Sequence, residues 1–166
     1  FTRGSSHDEY AAYTEDNDAY KRSMERLARK WETAKGLMPA PHISISDDAV
    51  KTGVIYFGTS THAVQEAVDD LAQAGIVLNT MRIKGFPFQD KVLEFIDQHD
   101  QIFVVEQNRD GQMRTLLINE LPIVPEKLTS ITHFDGTPID ARSIAKAVED
   151  KLAVQNQHQN CKGGAQ

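Results

Sequence analysis

The sequence contains a single cysteine, Cys161, among its 166 residues. One cysteine cannot form an intrachain disulfide, and alone it cannot anchor an iron–sulfur cluster or a cysteine zinc site. No apolar run approaches the roughly 20 residues that a membrane-spanning helix requires. The polar start also lacks the apolar region of a signal peptide. These absences favour a reducing compartment, and we expect a cytoplasmic protein that binds no membrane.

Basic residues are also in deficit, because 18 Lys and Arg against 24 Asp and Glu give a net charge of −6. Surfaces that bind nucleic acid are ordinarily basic, so we expect no nucleic-acid partner. The hydrophobic share of 40% and the charged share of 25% are those of an ordinary globular protein, and the length suits one domain. The first residue is Phe1 rather than Met, which predicts a piece of a longer protein.

Composition and periodicity predict four segments: an acidic arm or linker (1–19), an amphipathic helix (20–37), an α/β domain (38–153) and a flexible tail (154–166). Asp16 or Asp18 is placed to cap the start of the helix, and Gly36 to cap its end. An apolar stripe along the helix includes the only tryptophan, Trp31, so we expect it to pack against something. Six basic residues and two Glu give residues 20–36 a net charge of +4, which indicates either a solvated face or a contact with the acidic arm.

Short apolar runs alternate with segments of helical period along the predicted domain. The expected strands are residues 54–57, 76–83, 102–105 and 128–134, with a fifth near 42–46. This alternation predicts a three-layer α/β/α sandwich with a mostly parallel five-stranded sheet.

One candidate site is the turn Gly58-Thr59-Ser60-Thr61, which follows a strand and opens a helix. Such a turn can bind an anion through its backbone N–H groups, or can simply cap the helix. It lacks the Gly-Lys-Ser/Thr of a Walker loop and the three glycines of a dinucleotide fingerprint. It is not a nucleophile elbow, because His62 stands where Gly-x-Ser-x-Gly has its last Gly.

A second candidate site is the segment 106–112, at the carboxyl end of a predicted strand, where ligands of open α/β sheets gather. In one interpretation Glu106 is a buried carboxylate available for acid–base work. In the other, Asn108 and Gly111 form a turn, Asp110 caps the next helix and Glu106 pairs with a base.

Metal and cofactor motifs are missing from the rest of the chain. His7, Asp8 and Glu9 are possible ligands, but neighbours on a flexible arm rarely form a complete site, and the other histidines lack ligand spacing. Asp135-Gly136-Thr137 has no preceding Gly and no downstream Asn at the distance used by magnesium–thiamine diphosphate sites. We therefore predict no catalytic, cofactor-binding or metal-binding residue in this chain.

Taken in order, several segments resemble the alpha subunit of 2-oxoacid:ferredoxin oxidoreductases, most closely the 2-oxoglutarate type. They are Arg3-Gly4-Ser5-Ser6-His7-Asp8-Glu9-Tyr10, Tyr13-Thr14-Glu15-Asp16, the basic segment 22–30, Gly58-Thr59-Ser60, Phe86-Pro87-Phe88, Glu106-x-Asn108-x-x-Gly111-Gln112 and Phe134-Asp135-Gly136-x-Pro138. Phe86 stands where the family usually has Pro. The resemblance covers roughly residues 1–152.

The resemblance implies a parent enzyme of central metabolism that converts a 2-oxoacid and coenzyme A to an acyl-coenzyme A, carbon dioxide and reduced ferredoxin. Its cofactors are thiamine diphosphate with Mg²⁺ and iron–sulfur clusters. This chain corresponds to a domain similar to the transketolase C-terminal domain, without cofactor of its own. The implied partners are the rest of the alpha subunit, the beta subunit and, through the complex, ferredoxin.

By the same resemblance, His7, Asp8 and Glu9 approach the substrate in the intact enzyme, whereas Gly58, Thr59, Ser60, Glu106, Asn108, Gly111 and Gln112 shape the sheet edge and an interface. The isolated chain is then expected to be inactive. The alternative hypothesis is a free-standing Rossmann- or flavodoxin-like module for nucleotide binding or assembly.

Overall fold

The computed structural model describes the backbone of residues 6–163 and the side chains of residues 6–154. Within this part of the chain the helices are α1 (Asn17–Leu37), α2 (Thr61–Gln73), α3 (Asp90–Asp97), α4 (Gln112–Glu120) and α5 (Ala141–Gly163). The strands are β1 (His42–Ser44), β2 (Thr52–Phe57), β3 (Asn79–Ile83), β4 (Gln101–Glu106) and β5 (Leu128–Thr132). The first five residues of the chain, which include Arg3, Gly4 and Ser5 of the arm motif, lie outside the described residues.

The five strands form one sheet in the order β1-β3-β2-β4-β5. β2, β3, β4 and β5 run parallel, and only β1 is antiparallel to its neighbour β3. Helices α2 and α5 cover one face, where Val54, Val64 and Ile144 belong to one apolar cluster. On the other face, a second cluster that includes Ile55, Phe95 and Leu117 packs under α3 and α4. The predicted α/β/α fold, with its mostly parallel five-stranded sheet, is confirmed.

Some boundaries differ from the predicted ones. The third strand begins at Asn79 rather than at residue 76, because Gly75 takes a φ of +84° and the Ile76 N–H still donates to the Leu71 carbonyl of α2 at 2.8 Å. The fifth strand ends at Thr132, before Phe134. The backbone of α5 continues to Gly163, past the predicted start of the tail at residue 154, whose flexibility stays a prediction.

Helix α1 begins at Asn17, before the predicted residue 20, and extends through Leu37. Asp16 is its N-cap, as expected, and its carboxylate accepts the Asp18 N–H at 3.0 Å. Gly36 is not the C-terminal cap, because it lies inside the helix, and the Met38 N–H instead donates to the Ala34 carbonyl at 3.1 Å. Among the described residues no ion pair joins the acidic arm to the cations of α1.

The apolar stripe of α1 packs only in part. The Trp31 ring meets the Phe86 ring edge-on at a centroid distance of 5.2 Å, and Phe86 meets the buried Phe88 at 5.0 Å. Lys35 adds an ion pair with Asp90 at 2.6 Å. Trp31 nevertheless stays 45% exposed, and three further stripe residues are about as exposed: Tyr20, Met24 and Leu27. The C-terminal half of α1 is therefore attached to the connection between β3 and α3.

A buried polar cluster closes the amino ends of the strands, away from the edge where ligands of α/β sheets gather. The Asn79 side-chain amide lies 3.0 Å from Nε2 of His99, and its oxygen accepts the Ser46 N–H at 2.8 Å. His99 Nδ1 lies 2.6 Å from the Phe95 carbonyl oxygen. These partners give His99 a structural role in the core.

Candidate functional site

The carboxyl ends of the parallel strands bring three loops to one edge of the sheet. They follow β2 (residues 58–60), β4 (107–111) and β5 (133–140). Because parallel strands end together, side chains from separate parts of the sequence meet here. Gln107, which directly follows β4, connects the three loops, whereas the Glu106 carboxylate connects the end of β4 to α4.

The turn after β2 is a single 3₁₀ turn, Gly58–Ser60, that leads directly into α2. Gly58 has a φ of +58°, and the Thr61 hydroxyl donates to the Gly58 carbonyl at 2.7 Å. The expectation that a hydroxyl side chain caps α2 is wrong, because Ser60 makes no such bond. The buried Ser60 hydroxyl and the neighbouring Thr59 hydroxyl instead accept hydrogen bonds from the Gln107 side-chain amide, at 3.2 and 2.9 Å.

Gln107 holds two loops in place. Besides its bonds to the turn after β2, its side-chain oxygen accepts the Ile139 N–H at 3.2 Å, just before α5. It therefore bridges the loops that precede α2 and α5. The sequence pattern did not single out Gln107, because its partners are 48 and 32 positions away along the chain.

Glu106 is fully buried, and all its described partners donate to it. Its carboxylate accepts the Met113 N–H at 2.7 Å, the Arg114 N–H at 3.3 Å and the Asn108 side-chain amide at 2.8 Å. Backbone N–H groups of a first helical turn stabilise a negative charge, so Glu106 caps α4 from the preceding strand. No ion pair of the described residues includes Glu106, so the predicted pairing with a base is wrong.

The other residues of the 106–112 segment form the turn between β4 and α4. The Asn108 side-chain oxygen accepts the N–H groups of Asp110 and Gln112, both at 3.2 Å. Gly111 takes a φ of +63° as the N-cap residue, and a Cβ there would lie 2.9 Å from the Ser130 hydroxyl. Asp110 pairs with Arg109 at 2.7 Å and does not cap α4, contrary to expectation. Gln112 contributes its backbone, and its side chain is exposed.

The loop after β5 is held by its own polar groups. Asp135 accepts both the backbone N–H and the hydroxyl of Thr137, at 2.8 and 2.7 Å. These hydrogen bonds, helped by the nearby His133, hold the pKa of the Asp135 carboxyl below its ordinary value. His133 lies 3.0 Å from the same carboxylate. The loop leaves Phe134 64% exposed at the sheet edge.

The arm residues do not join this site. The Asp8 carboxylate accepts the N–H groups of Tyr10 and Ala12 at 3.0 and 2.9 Å, and Nδ1 of His7 lies 2.9 Å from the Asp8 carbonyl. The arm reaches α1 through a long hydrogen bond of 3.5 Å from the Ser23 hydroxyl to the His7 carbonyl. Glu9 is exposed. The described contacts of His7 and Asp8 therefore stay within the arm and α1, and their proximity to a substrate stays a prediction.

Neither a metal-binding cluster nor a helix able to span a membrane is found among the described residues. No group of three or more His, Cys, Asp or Glu is arranged to hold a metal ion. No helix in the part of the chain that the structure describes is long and apolar enough to cross a membrane.

Comparison with solved structures finds the same fold in two enzymes. A 2-oxoglutarate:ferredoxin oxidoreductase from Magnetococcus marinus, solved with 2-oxoglutarate, coenzyme A and succinyl-CoA bound, matches 92% of this chain with a TM-score of 0.78 and 19% identity. A split-gene transketolase, an inactive beta4 tetramer, matches 68% of this chain with a TM-score of 0.51 and 16% identity. No protein-family model matches, and no curated protein does.

These likenesses establish the fold. It is an α/β domain of the kind that resembles the transketolase C-terminal domain. The chain spans 26% of the oxidoreductase chain and 41% of the transketolase chain. In this chain helices cover both faces of the sheet, and hydrogen bonds connect the loops at its carboxyl edge.

Proposed function

We propose that this chain is part of the alpha subunit of a 2-oxoacid:ferredoxin oxidoreductase of the 2-oxoglutarate type. The observation that carries the proposal is the likeness over 92% of the chain to an oxidoreductase solved with 2-oxoglutarate and coenzyme A. The ordered motifs, including Glu106-x-Asn108-x-x-Gly111-Gln112, support the same family independently of the fold.

The parent enzyme would convert a 2-oxoacid and coenzyme A to an acyl-coenzyme A, carbon dioxide and reduced ferredoxin. Thiamine diphosphate with Mg²⁺ supplies the carbanion chemistry in such an enzyme, and iron–sulfur clusters carry the electrons. The described residues do not fit these groups, because they contain no metal-binding cluster and because Asp135 is already engaged by Thr137. We therefore assign no step of the reaction to residues of this chain.

The proposed role of the domain is to support its neighbours in the assembled enzyme, where its partners would be the rest of the alpha subunit and the beta subunit. At the sheet edge, Glu106 occupies the N-terminus of α4, and Gln107 binds the turn that opens α2. A phosphate group would have to displace the Glu106 carboxylate to reach the backbone N–H groups of α4. This arrangement favours a supporting domain over a free-standing nucleotide-binding module.

Co-expression of the chain with its companion polypeptides, followed by gel filtration and an assay of 2-oxoglutarate-dependent electron transfer, tests the proposal. We expect the chain to co-elute with them, and activity to require the whole assembly. Isothermal titration of the chain alone with thiamine diphosphate and Mg²⁺, and with nucleotides, should show no saturable binding. Tight binding of thiamine diphosphate by the chain alone would contradict the supporting role, and saturable nucleotide binding would favour the free-standing module.

A further inference from the structure

The middle of helix α1 is exposed around its whole circumference. Every residue in the range 24–33 is exposed. The domain holds the helix near its C-terminal end, through the ring contact of Trp31 with Phe86 and the ion pair of Lys35 with Asp90. Most of the stability of a protein helix comes from packing one of its faces against another element. The described residues supply little of that packing along the middle of α1.

The exposed helix carries a narrow apolar seam. Its members recur at alternating spacings of four and three residues, which places them on one line along the helix: Tyr20, Met24, Leu27 and Trp31. Their exposed fractions lie between 43% and 50% with the domain and the described part of the arm in place. A seam of this width is typical of a helix that pairs with one other helix, whereas a helix that packs on a broad apolar core has a wider stripe.

The charged residues that flank the seam are all basic. In a pair of helices, the flanking positions face the partner and determine which charges it carries. These positions hold Lys21, Lys30 and Lys35, and among the described residues only Lys35 forms an ion pair. The two glutamates of the helix, Glu25 and Glu32, lie further from the seam. The seam is therefore complementary to a helix whose apolar line is flanked by Asp or Glu.

A second copy of this chain does not provide that complement. Among the helices with described side chains, only α1 exposes a row of large apolar residues. If two copies of α1 paired along the seam, the charged residues at the flanking positions of both helices would all be lysines. Like charges at these positions disfavour pairing. The charge pattern therefore favours a different polypeptide as the occupant.

We propose that the seam of α1 docks an acidic amphipathic helix of a companion polypeptide in the assembled enzyme. Phe86, which is 36% exposed and contacts Trp31, extends the apolar surface at the C-terminal end of the seam. The apolar side chains supply affinity, and the lysines beside them select an acidic partner and its register. The inference rests on the proposed function, because the companion belongs to that assembly.

Leu27→Gln tests the apolar part of the seam. Leu27 lies near its centre, and Gln has nearly the same helix propensity as Leu. The Kd of the assembly with the companion polypeptides should rise at least tenfold, because a contact at the centre of the interface is lost. The thermal midpoint of the free chain should stay the same, since the side chain is exposed there. The matched control Arg29→Gln, on the opposite face of α1, should change the Kd less than twofold.

Lys30→Glu tests the charge of the partner. At physiological ionic strength it should raise the Kd of the assembly at least fivefold, because it places a carboxylate against an acidic helix. Arg22→Glu makes the same change of charge on the opposite face of α1 and should change the Kd less than twofold. Equal effects of the two variants would mean that only the net charge matters, which contradicts an acidic helix at the seam.

Hydrogen–deuterium exchange locates the docking surface. In the free chain the amides of residues 24–33 should exchange quickly, because solvent surrounds this part of the helix. In the assembly they should exchange at least tenfold more slowly, and Leu27→Gln should remove most of this protection. The amides of β4, which are buried in the sheet, serve as the internal reference and should not change.

Other occupants of the seam would give different results. If the free chain forms a dimer in gel filtration that Leu27→Gln dissociates, a second copy occupies the seam and the proposal is wrong. If the free chain binds phosphatidylserine vesicles and Leu27→Gln abolishes that binding, the seam contacts a membrane surface, which also overturns the proposal. If Leu27→Gln weakens assembly while Lys30→Glu does not, the partner is not acidic.

Assembly of the wild-type chain separates failure of the docking role from failure of the proposed function. If the wild-type chain and Leu27→Gln assemble with equal Kd and residues 24–33 gain no protection, the docking role is wrong while the proposed function stands. If the wild-type chain does not assemble with the companion polypeptides at all, the proposed function fails, and the docking role fails with it.

Discussion

The Glu106 carboxylate accepts the backbone N–H of Met113 at 2.7 Å, and so joins the end of β4 to the first turn of α4. Glu106, a residue of the strand, thus accepts backbone N–H groups at the start of α4. The same carboxylate binds the Asn108 side chain, which itself holds two N–H groups of the turn. One buried carboxyl group therefore fixes the geometry of the whole 106–112 segment.

Glu106→Gln should lower the free energy of unfolding by about 2–3 kcal/mol, because an amide keeps only one acceptor oxygen and turns donors toward backbone N–H groups. The matched control is Asp110→Asn, at the exposed carboxylate that the sequence pattern assigned as the cap. It should change stability by less than about 0.5 kcal/mol. Urea unfolding measures both variants, and a larger loss for Asp110→Asn would restore the sequence-based assignment.

Gly111→Ala should destabilise the chain by roughly 1–2 kcal/mol for the left-handed backbone alone, since a side chain disfavours that conformation. The added Cβ also comes within 2.9 Å of the Ser130 hydroxyl. The double variant with Ser130→Ala should recover the steric part of the loss but not the backbone part. Gly36→Ala is the control, because this glycine lies inside α1 with open space around it, and alanine there should stabilise the helix.

Asp140 should make α5 sensitive to acid. Its carboxylate accepts the Ser143 N–H at 2.7 Å, and this backbone hydrogen bond, with the Ser143 side chain, holds its pKa below the ordinary 3.8. A carboxyl whose pKa is lower in the folded state stabilises that state fully above its unfolded pKa, and the effect is lost as the pH falls through the folded pKa. Asp140→Asn should therefore lower the thermal midpoint at neutral pH, and the difference should shrink as the pH falls from 3.8 toward the lower pKa of the folded state.

The control for acid sensitivity is Asp69→Asn, at an exposed aspartate within α2. Thermal unfolding followed by circular dichroism across the acid range compares the two variants. If Asp140→Asn and the wild-type chain differ equally at all pH values, the N-cap charge is not the cause.

The centre of the sheet was predictable because β2 and β4 are buried on both faces. Residues 102–105 form a continuous apolar run, and β4 is indeed the buried strand between β2 and β5. Apolar character alone misplaced the start of β3, since Leu78 is buried by packing before the strand begins. A hydrophobic pattern indicates which residues are buried. It does not distinguish a residue that is hydrogen-bonded within the sheet from one that only packs in the core.

The connections at the site were not predictable, because they depend on how distant loops meet. Glu106 caps a helix seven positions away, whereas sequence rules look for the cap next to the helix. Gln107 reaches Ile139 across 32 positions. By contrast, Asp16 was identified as a cap, because it bonds to the helix that immediately follows it.

Gln107→Ala should loosen the sheet edge locally while changing global stability by only about 1 kcal/mol, since its hydrogen bonds are partly exposed. Hydrogen–deuterium exchange should show faster exchange at the Ile139 amide, which loses its acceptor. Gln112→Ala, at an exposed side chain in the same segment, should leave that amide unchanged. Equal exchange at Ile139 in both variants would mean that Gln107 does not hold the loop.

Trp31 should report on how α1 is attached, because it is the only tryptophan and its ring contacts Phe86 at 5.2 Å. Phe86→Ala should shift the Trp31 fluorescence emission to longer wavelength and increase its quenching by acrylamide, since the indole becomes more exposed to water. The loss of the aromatic pair should cost roughly 1 kcal/mol of stability. Phe134→Ala, at a more exposed ring at the sheet edge, should leave the emission unchanged. If both variants shift the emission alike, Trp31 senses a general loosening of the domain, and Phe86 is not the contact that holds α1 in place.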